Sequence, residues 1–402
     1  MLQRAKFIYT IAIVIAIGLW ILSPVQANPV RLGIETIESH AQLFAGKRVG
    51  LITNQTGVNS RLQSSVDILY EKTNLTALFS PEHGLRGAIE AGAPVGLVTD
   101  RKTGLPVYSL YGDTRKPTPE MLENIDVLCI DIQDVGARFY TYVSTMALAM
   151  ESAKENNIQF VVFDRPNPIG GVVVEGSVLK PGFESFIGKY PVPIRHGLTI
   201  GEFALLINEQ FGIQCDLTII KMDGWQRKMH WQDTGLPWVM TSPNIPTPDT
   251  ALLYPGIGLI GATNISEGVG TTRPFELVGA SWLDAQLVAD KLNEAQIPGV
   301  TFRPTSFIPR FGKHSGVVQN GVQIHVSDRY SYQAVRTAIT VLTIMKEISN
   351  GQFNYDSVRM FDLAAGESDL RLGTESSSEL LTRWQAESQQ FQVQSRQYYL
   401  YE

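Results

Sequence analysis

Four short apolar runs in the first half of the chain each end in charged, amide or hydroxyl side chains. Arg48 to Thr53 leads into Asn54-Gln55-Thr56-Gly57, and Leu75 to Phe79 into Ser80-Pro81-Glu82-His83-Gly84-Leu85-Arg86-Gly87. Ile125 to Ile130 is followed by Asp131-Ile132-Gln133-Asp134-Val135-Gly136-Ala137-Arg138, and Phe160 to Phe163 by Asp164-Arg165-Pro166-Asn167-Pro168. In open α/β sheets, ligands bind beyond the carboxyl ends of the strands. Polar groups gathered there predict a cleft for a polar ligand. Glu82 is the best candidate for proton chemistry, because a carboxyl at a sheet edge, with Pro81 fixing the backbone before it, is partly desolvated. The competing reading pairs Glu82 with Arg86 or has it cap a turn. His83 reads equally as a hydrogen-bonded structural histidine.

Asp131 or Asp134 could supply a second carboxylate, and two carboxyls facing one bond suit glycoside cleavage. An Asp just past a strand also caps a following helix, and Asp134 lies near such a start. Asp164 and Arg165 read as an internal ion pair or as ligand contacts. Tyr140 and Tyr142 open a helical stretch and could stack on a sugar face, donate a hydrogen bond, or simply pack. In the second half, Asn264-Ile265-Ser266-Glu267-Gly268-Val269-Gly270-Thr271-Thr272-Arg273-Pro274-Phe275-Glu276 is dense in polar groups and in glycines that let backbone approach a ligand. It has neither the spacing of a dinucleotide-binding loop nor the lysine of a Walker loop, which argues against a dehydrogenase or a kinase. The histidines are scattered, with no His-x-His, His-Glu-x-x-His or Cys-x-x-Cys pattern, so neither a metal nor another cofactor is expected.

The elements that must position these residues follow from the same runs. Near-continuous apolar strands at 48–53, 75–79, 106–110, 125–130 and 160–163, with helical spacing at 139–156, predict a parallel sheet covered on both faces. A Rossmann-like α/β domain over residues 28–175 is the natural assignment. Residues 174–193 carry several Gly and Pro residues and read as a linker. Thr199 with Glu202 forms a capping box for the next helix, and Cys215 to Ile220 reads as a strand. A long segment at 240–275 reads as irregular, which in a compact domain points to function. Helices at 283–295, 332–348 and after 375, with strands near 300–302 and 321–326, complete a smaller α+β domain over residues 176–402. The active-site cleft is expected between the two domains.

Residues 1–27 have the pattern of a secretory signal: Arg4 and Lys6, an apolar run from Phe7 to Leu22, then Val25-Gln26-Ala27. Export to a periplasmic or extracellular space is expected, with no stable membrane anchor after cleavage. The formal charge is −6, and loss of the two cations Arg4 and Lys6 makes it −8. That acidity argues against a nucleic-acid partner and against docking on an anionic membrane. The two cysteines, Cys129 and Cys215, read as packed thiols rather than a bridge.

Taken together, Ser80 to Gly87, Asp131 to Tyr142, Asp164 to Pro168, Ser242-Pro243-Asn244-Ile245-Pro246 and Thr263 to Glu276 resemble the bacterial exo-β-N-acetylmuramidases. These are glycoside hydrolases long catalogued as a domain of unknown function. The resemblance covers nearly the whole chain after residue 27, in order. It implies release of terminal, non-reducing N-acetylmuramic acid from peptidoglycan-derived saccharides, with Glu82 as the catalytic acid/base. Asp131 or Tyr140 would assist on the other face. Asn54, His83, Arg86, Arg138, Tyr142, Asp164, Arg165, Asn264, Glu267, Thr271 and Arg273 would contact substrate. Arg86, Arg138, Arg165 and Arg273 are the candidate cations for the lactyl carboxylate, since arginine binds carboxylates bidentately. The chain departs from the family pattern at Gly261-Ala262 and at Val269, where a Glu-Gly pair and an arginine are expected. The rival reading is a periplasmic cell-wall sugar-binding protein without hydrolytic activity. An amidase or esterase is disfavoured by the absence of a Gly-x-Ser-x-Gly elbow.

Overall fold

The computed structural model describes residues 30–86 and 98–402. Residues 1–27, read as a signal, and Gly87 lie outside the described residues. The apolar runs become the strands β1 (Arg48–Thr53), β2 (Asn74–Ser80), β4 (Pro106–Ser109), β5 (Val127–Asp131) and β6 (Gln159–Phe163). A short β3 (Val98–Thr99) and β9 (Leu217–Ile220) join them in one seven-stranded sheet of order β3-β4-β2-β1-β5-β6-β9. All neighbours pair in parallel except β3, which runs antiparallel at the edge. Without β3, the order is that of a doubly wound nucleotide-binding sheet, reversing between β1 and β5. Helices α1 (Ser65–Lys72), α2 (Pro119–Leu122), α3 (Tyr142–Glu155) and α4 (Ile200–Glu209) make the crossovers. Both sheet faces are buried, with Val49, Leu51, Leu78 and Val161 in one apolar cluster and Ile52, Phe79, Ile130 and Val162 in the other.

The sheet therefore runs past the boundary expected at residue 175. Residues 174–193, read as a linker, carry a small antiparallel pair, β7 (Glu175–Val178) with β8 (Pro193–Arg195). The chain then returns through α4, whose capping box at Thr199 and Glu202 forms as expected, to place β9 beside β6. Both cysteines are buried and free.

The second sheet is antiparallel, β10 (Leu277–Ala280), β12 (Gln319–Val326) and β11 (Val300–Phe307) in that order, packed with α6 (Ala285–Glu294) and α7 (Ala334–Glu347). Further helices are α8 (Val358–Ala365), α9 (Asp369–Leu372) and α10 (Ser377–Ser395). The segment at 240–275, expected to be irregular, contains a helix, α5 (Pro248–Ile257). Thr247 caps it and Pro248 occupies its first turn, a position where the missing N–H costs nothing. Gly256 lets α5 approach the Ala334 carbonyl at the start of α7, a contact no Cβ would permit. That close crossing fixes Tyr254 on α5.

Candidate active site

The ends of β1, β2, β4 and β5 converge where the strand order reverses. Glu82 follows β2 and is half-buried. Its Oε2 accepts a hydrogen bond of 2.7 Å from Thr141 Oγ1. A hydroxyl at the N-cap of a helix usually accepts from the backbone. Thr141 caps α3 without doing so, and its hydroxyl serves Glu82 instead. The carboxyl thus sits at a helix N-terminus, where partial positive charge collects. Tyr111 lies beside Glu82; burial first, then the nearby carboxylate, push its phenol up to about 12. The Pro81–Gly84 turn closes with Gly84 N donating to Pro81 O at 3.0 Å. Within it, His83 is buried and holds φ at 71°, a left-handed conformation uncommon outside glycine.

Three tyrosines wall the site. The Tyr140 ring lies 4.7 Å from Tyr142 and 5.7 Å from Tyr254, edge to face. Tyr254 also meets Phe139 at 5.2 Å and Phe275 at 5.0 Å, so the C-terminal half closes over the strand ends. Tyr142 accepts from Asn54 Nδ2 at 2.8 Å and donates to Thr241 O at 2.6 Å. Asn54 Oδ1 takes the Thr56 hydroxyl and amide, and the Thr56 hydroxyl accepts from Gln133 N. The ends of β1 and β5 and the Thr241-Ser242 segment are thereby locked together. The Tyr140 hydroxyl is enclosed beside Tyr142, Thr241 and Ser242, with none of them in hydrogen-bonding geometry.

Other expected site residues have structural work. Asp131 is held by Arg165 through Nε at 2.5 Å and Nη2 at 2.9 Å, and the Ser65 hydroxyl also donates to it. Both residues are buried, so Asp131 faces its partner. Arg165 thus pairs with Asp131 rather than with Asp164. Asp164 accepts from Thr199 Oγ1, Gly201 N and Tyr401 Oη, tying α4 and the C-terminal tail to β6. Arg138 is buried and donates to the carbonyls of Ser177, Val192 and Ala364, a clamp between halves rather than a ligand contact. Burial pushes its guanidinium down to about 9. Arg86 reaches outward but pairs with the buried Asp100 at 2.7 Å.

The glycine-rich block of the second half is held by its own side chains. Asn264 bonds the backbone at Gln352 and Asn354, Thr271 bonds Gly268 O, and Arg273 pairs with Glu276. Lys313 fastens the first departure from the family pattern, donating to Gly261 O and Thr263 O and pairing with Glu267 at 3.0 Å. The Glu267 carboxyl lies 3.9 Å from where a Cβ on Gly261 would sit. Val269 packs partly buried against the core.

Asp134, read as a helix cap, becomes the carboxyl of interest near the tyrosines. Its Oδ2 accepts from Gly136 N at 2.7 Å, while its buried Oδ1 has no hydrogen-bond partner. Gly136, at φ 79°, makes this turn possible, since a Cβ would fall 2.5 Å from Asn167 Oδ1. Burial raises the Asp134 carboxyl from 3.8 to about 7. The folded state then holds a proton that the unfolded chain releases, so this group makes stability fall as pH rises from about 4 to about 7. The slope is at most about 1.4 kcal/mol per pH unit. Asp134→Asn removes that slope. Urea midpoints of the two proteins should diverge between pH 5 and 7 in favour of the variant; parallel profiles would refute the protonated carboxyl.

The fold and this geometry have close relatives. The exo-β-N-acetylmuramidase NamZ family matches the chain in two parts, its N-terminal domain at residues 49–249 and its C-terminal domain at 252–401. The chain belongs to that family. It is 50% identical over 378 residues to the peptidoglycan β-N-acetylmuramidase NamZ of Bacillus subtilis (strain 168), a match covering 92% of this chain and 91% of that one. Among solved structures, a DUF1343 family protein from Bacteroides fragilis superposes with a TM-score of 0.87 at 42% identity. A second protein of that family and organism gives 0.76 at 29%. Each match covers 93% of this chain and 99% of the other. As a member of the NamZ family the chain is a glycoside hydrolase.

Tyr111 and Tyr254 were missed in the sequence. Tyr111 follows the third strand, the one apolar run whose end was not read. Tyr254 sits in a segment read as irregular because of its glycines and prolines.

Proposed function

We propose that this protein is an exported, exo-acting hydrolase that removes the terminal, non-reducing N-acetylmuramic acid from peptidoglycan fragments, with Glu82 as acid/base. What carries this reading is the placement of Glu82. It is a half-buried carboxyl held by Thr141, beside Tyr111 and a tyrosine wall, at the reversal point of the sheet. The 50%-identical relative named as a peptidoglycan β-N-acetylmuramidase supports the substrate class. Held in this place, the Glu82 carboxyl can donate its proton to a glycosidic oxygen when protonated, and can accept one from water when ionised. Tyr254, the least buried of the three tyrosines, is the ring placed to meet a pyranose. The signal-like residues 1–27 support export.

The test is chemical. Incubation with a disaccharide carrying β-1,4-linked N-acetylmuramic acid at its non-reducing end should yield free muramic acid, followed by chromatography. Calorimetric binding of the intact disaccharide with no product would favour the sugar-binding reading instead.

A further inference from the structure

We propose that Arg115 binds the carboxylate of the substrate's lactyl group and so selects muramic acid over N-acetylglucosamine; this rests on the substrate class proposed above. The four arginines expected for that role are engaged elsewhere. Arg138 clamps backbone carbonyls, Arg165 is buried against Asp131, Arg86 pairs with Asp100, and Arg273 pairs with Glu276. Arg115 differs from all of them. It is exposed, and among the described residues no carboxylate pairs with it. Its guanidinium is nevertheless held in place, 4.4 Å from the centre of the Phe186 ring and 5.9 Å from that of Tyr111. Those two rings lie 6.0 Å apart. Stacking on aromatic faces orients the planar fork and leaves its N–H donors open.

Tyr111 connects this cation to the chemistry, because its hydroxyl lies beside the Glu82 carboxylate, which helps push the phenol up. One phenol side chain therefore separates the guanidinium, 5.9 Å from the ring centre, from the carboxylate beside its hydroxyl. A pyranose whose glycosidic oxygen meets Glu82 projects a lactyl carboxylate from C3 across a span of that order. Phe186 comes from the segment 174–193, so that segment contributes a wall to the sugar site. N-acetylglucosamine has no lactyl group and leaves the fork unpaired.

Arg115→Met tests the assignment, with Arg115→Lys as a second variant that keeps the charge and loses the fork. Both should melt with the wild type, since the side chain is exposed. Three sugars are titrated by calorimetry: N-acetylmuramic acid, its neutral lactyl amide and N-acetylglucosamine. Wild type should prefer the acid about 10- to 100-fold, the range for a charge-assisted pair. Arg115→Met should lose that preference, and Arg115→Lys should retain part of it. On a hydrolysed substrate the loss should fall on KM rather than kcat. Unchanged preference in Arg115→Met overturns the assignment, and wild type that turns substrate over in that case leaves the proposed function standing. Arg115-dependent binding without turnover supports the assignment and sinks the hydrolase reading. Wild type blind to the lactyl group overturns it as well.

Discussion

Glu82→Gln should lower kcat for release of N-acetylmuramic acid from the natural disaccharide about 10²- to 10⁴-fold, the range general acid–base catalysis contributes. Glutamine keeps the size of the side chain and can still accept the hydrogen bond from Thr141 Oγ1. The site is then intact apart from one proton, and KM should stay near wild type. The leaving group decides which role the proton plays. A sugar alkoxide leaves poorly and needs protonation, whereas a nitrophenolate leaves without help. If Glu82 is the acid, the variant should recover most of its loss on a nitrophenyl muramide. Equal losses on both substrates would assign Glu82 to activating the attacking group. Turnover near wild type on the disaccharide would remove it from catalysis altogether.

The fold was largely readable because its signals are local. A buried parallel strand is a continuous apolar run whatever its neighbours are, and five of the seven strands in the main sheet appear that way. The Thr199 capping box needs only four consecutive residues. Helix α5 was hidden because Pro255 and Gly256 lie inside it. Its stability comes from the fit against α7 and not from propensity, and packing outvotes a weak local preference. The polar strand ends were visible, and Glu82 was found among them.

Side-chain roles were less legible, since partner choice is a long-range property. Arg138 meets carbonyls at residues 177, 192 and 364, positions that no spacing rule connects to it. Asp131 and Asp134 stand three residues apart with the same chemistry. One is neutralised by Arg165 and the other is buried with an open oxygen. Only the turn at Gly136 and the position of Arg165 on the neighbouring strand end separate them. A guanidinium looks equally suited to a ligand and to a fold until its neighbours are known.

The Asp131–Arg165 pair makes that distinction measurable. Arg165→Met should cost about 3–5 kcal/mol of stability, because it leaves a carboxylate buried with, among the described residues, only the Ser65 hydroxyl as side-chain partner. That is a large share of the 5–15 kcal/mol typical of a folded domain, so much of the variant should be insoluble at growth temperature. Asp131→Leu combined with Arg165→Met removes both charges and fills the space. The double variant should recover most of the loss, since an apolar pair of similar volume often equals a buried ion pair. Urea unfolding of the single and double variants gives the coupling directly. The pair joins the ends of β5 and β6, and Arg165 Nη2 also reaches Val58 O beyond β1. Its loss therefore loosens the scaffold beneath Asn54 and Gln133 before it touches chemistry. If Arg165→Met kept wild-type stability and lost only turnover, the carboxylate would belong to the reaction and Asp131 would return to the catalytic set.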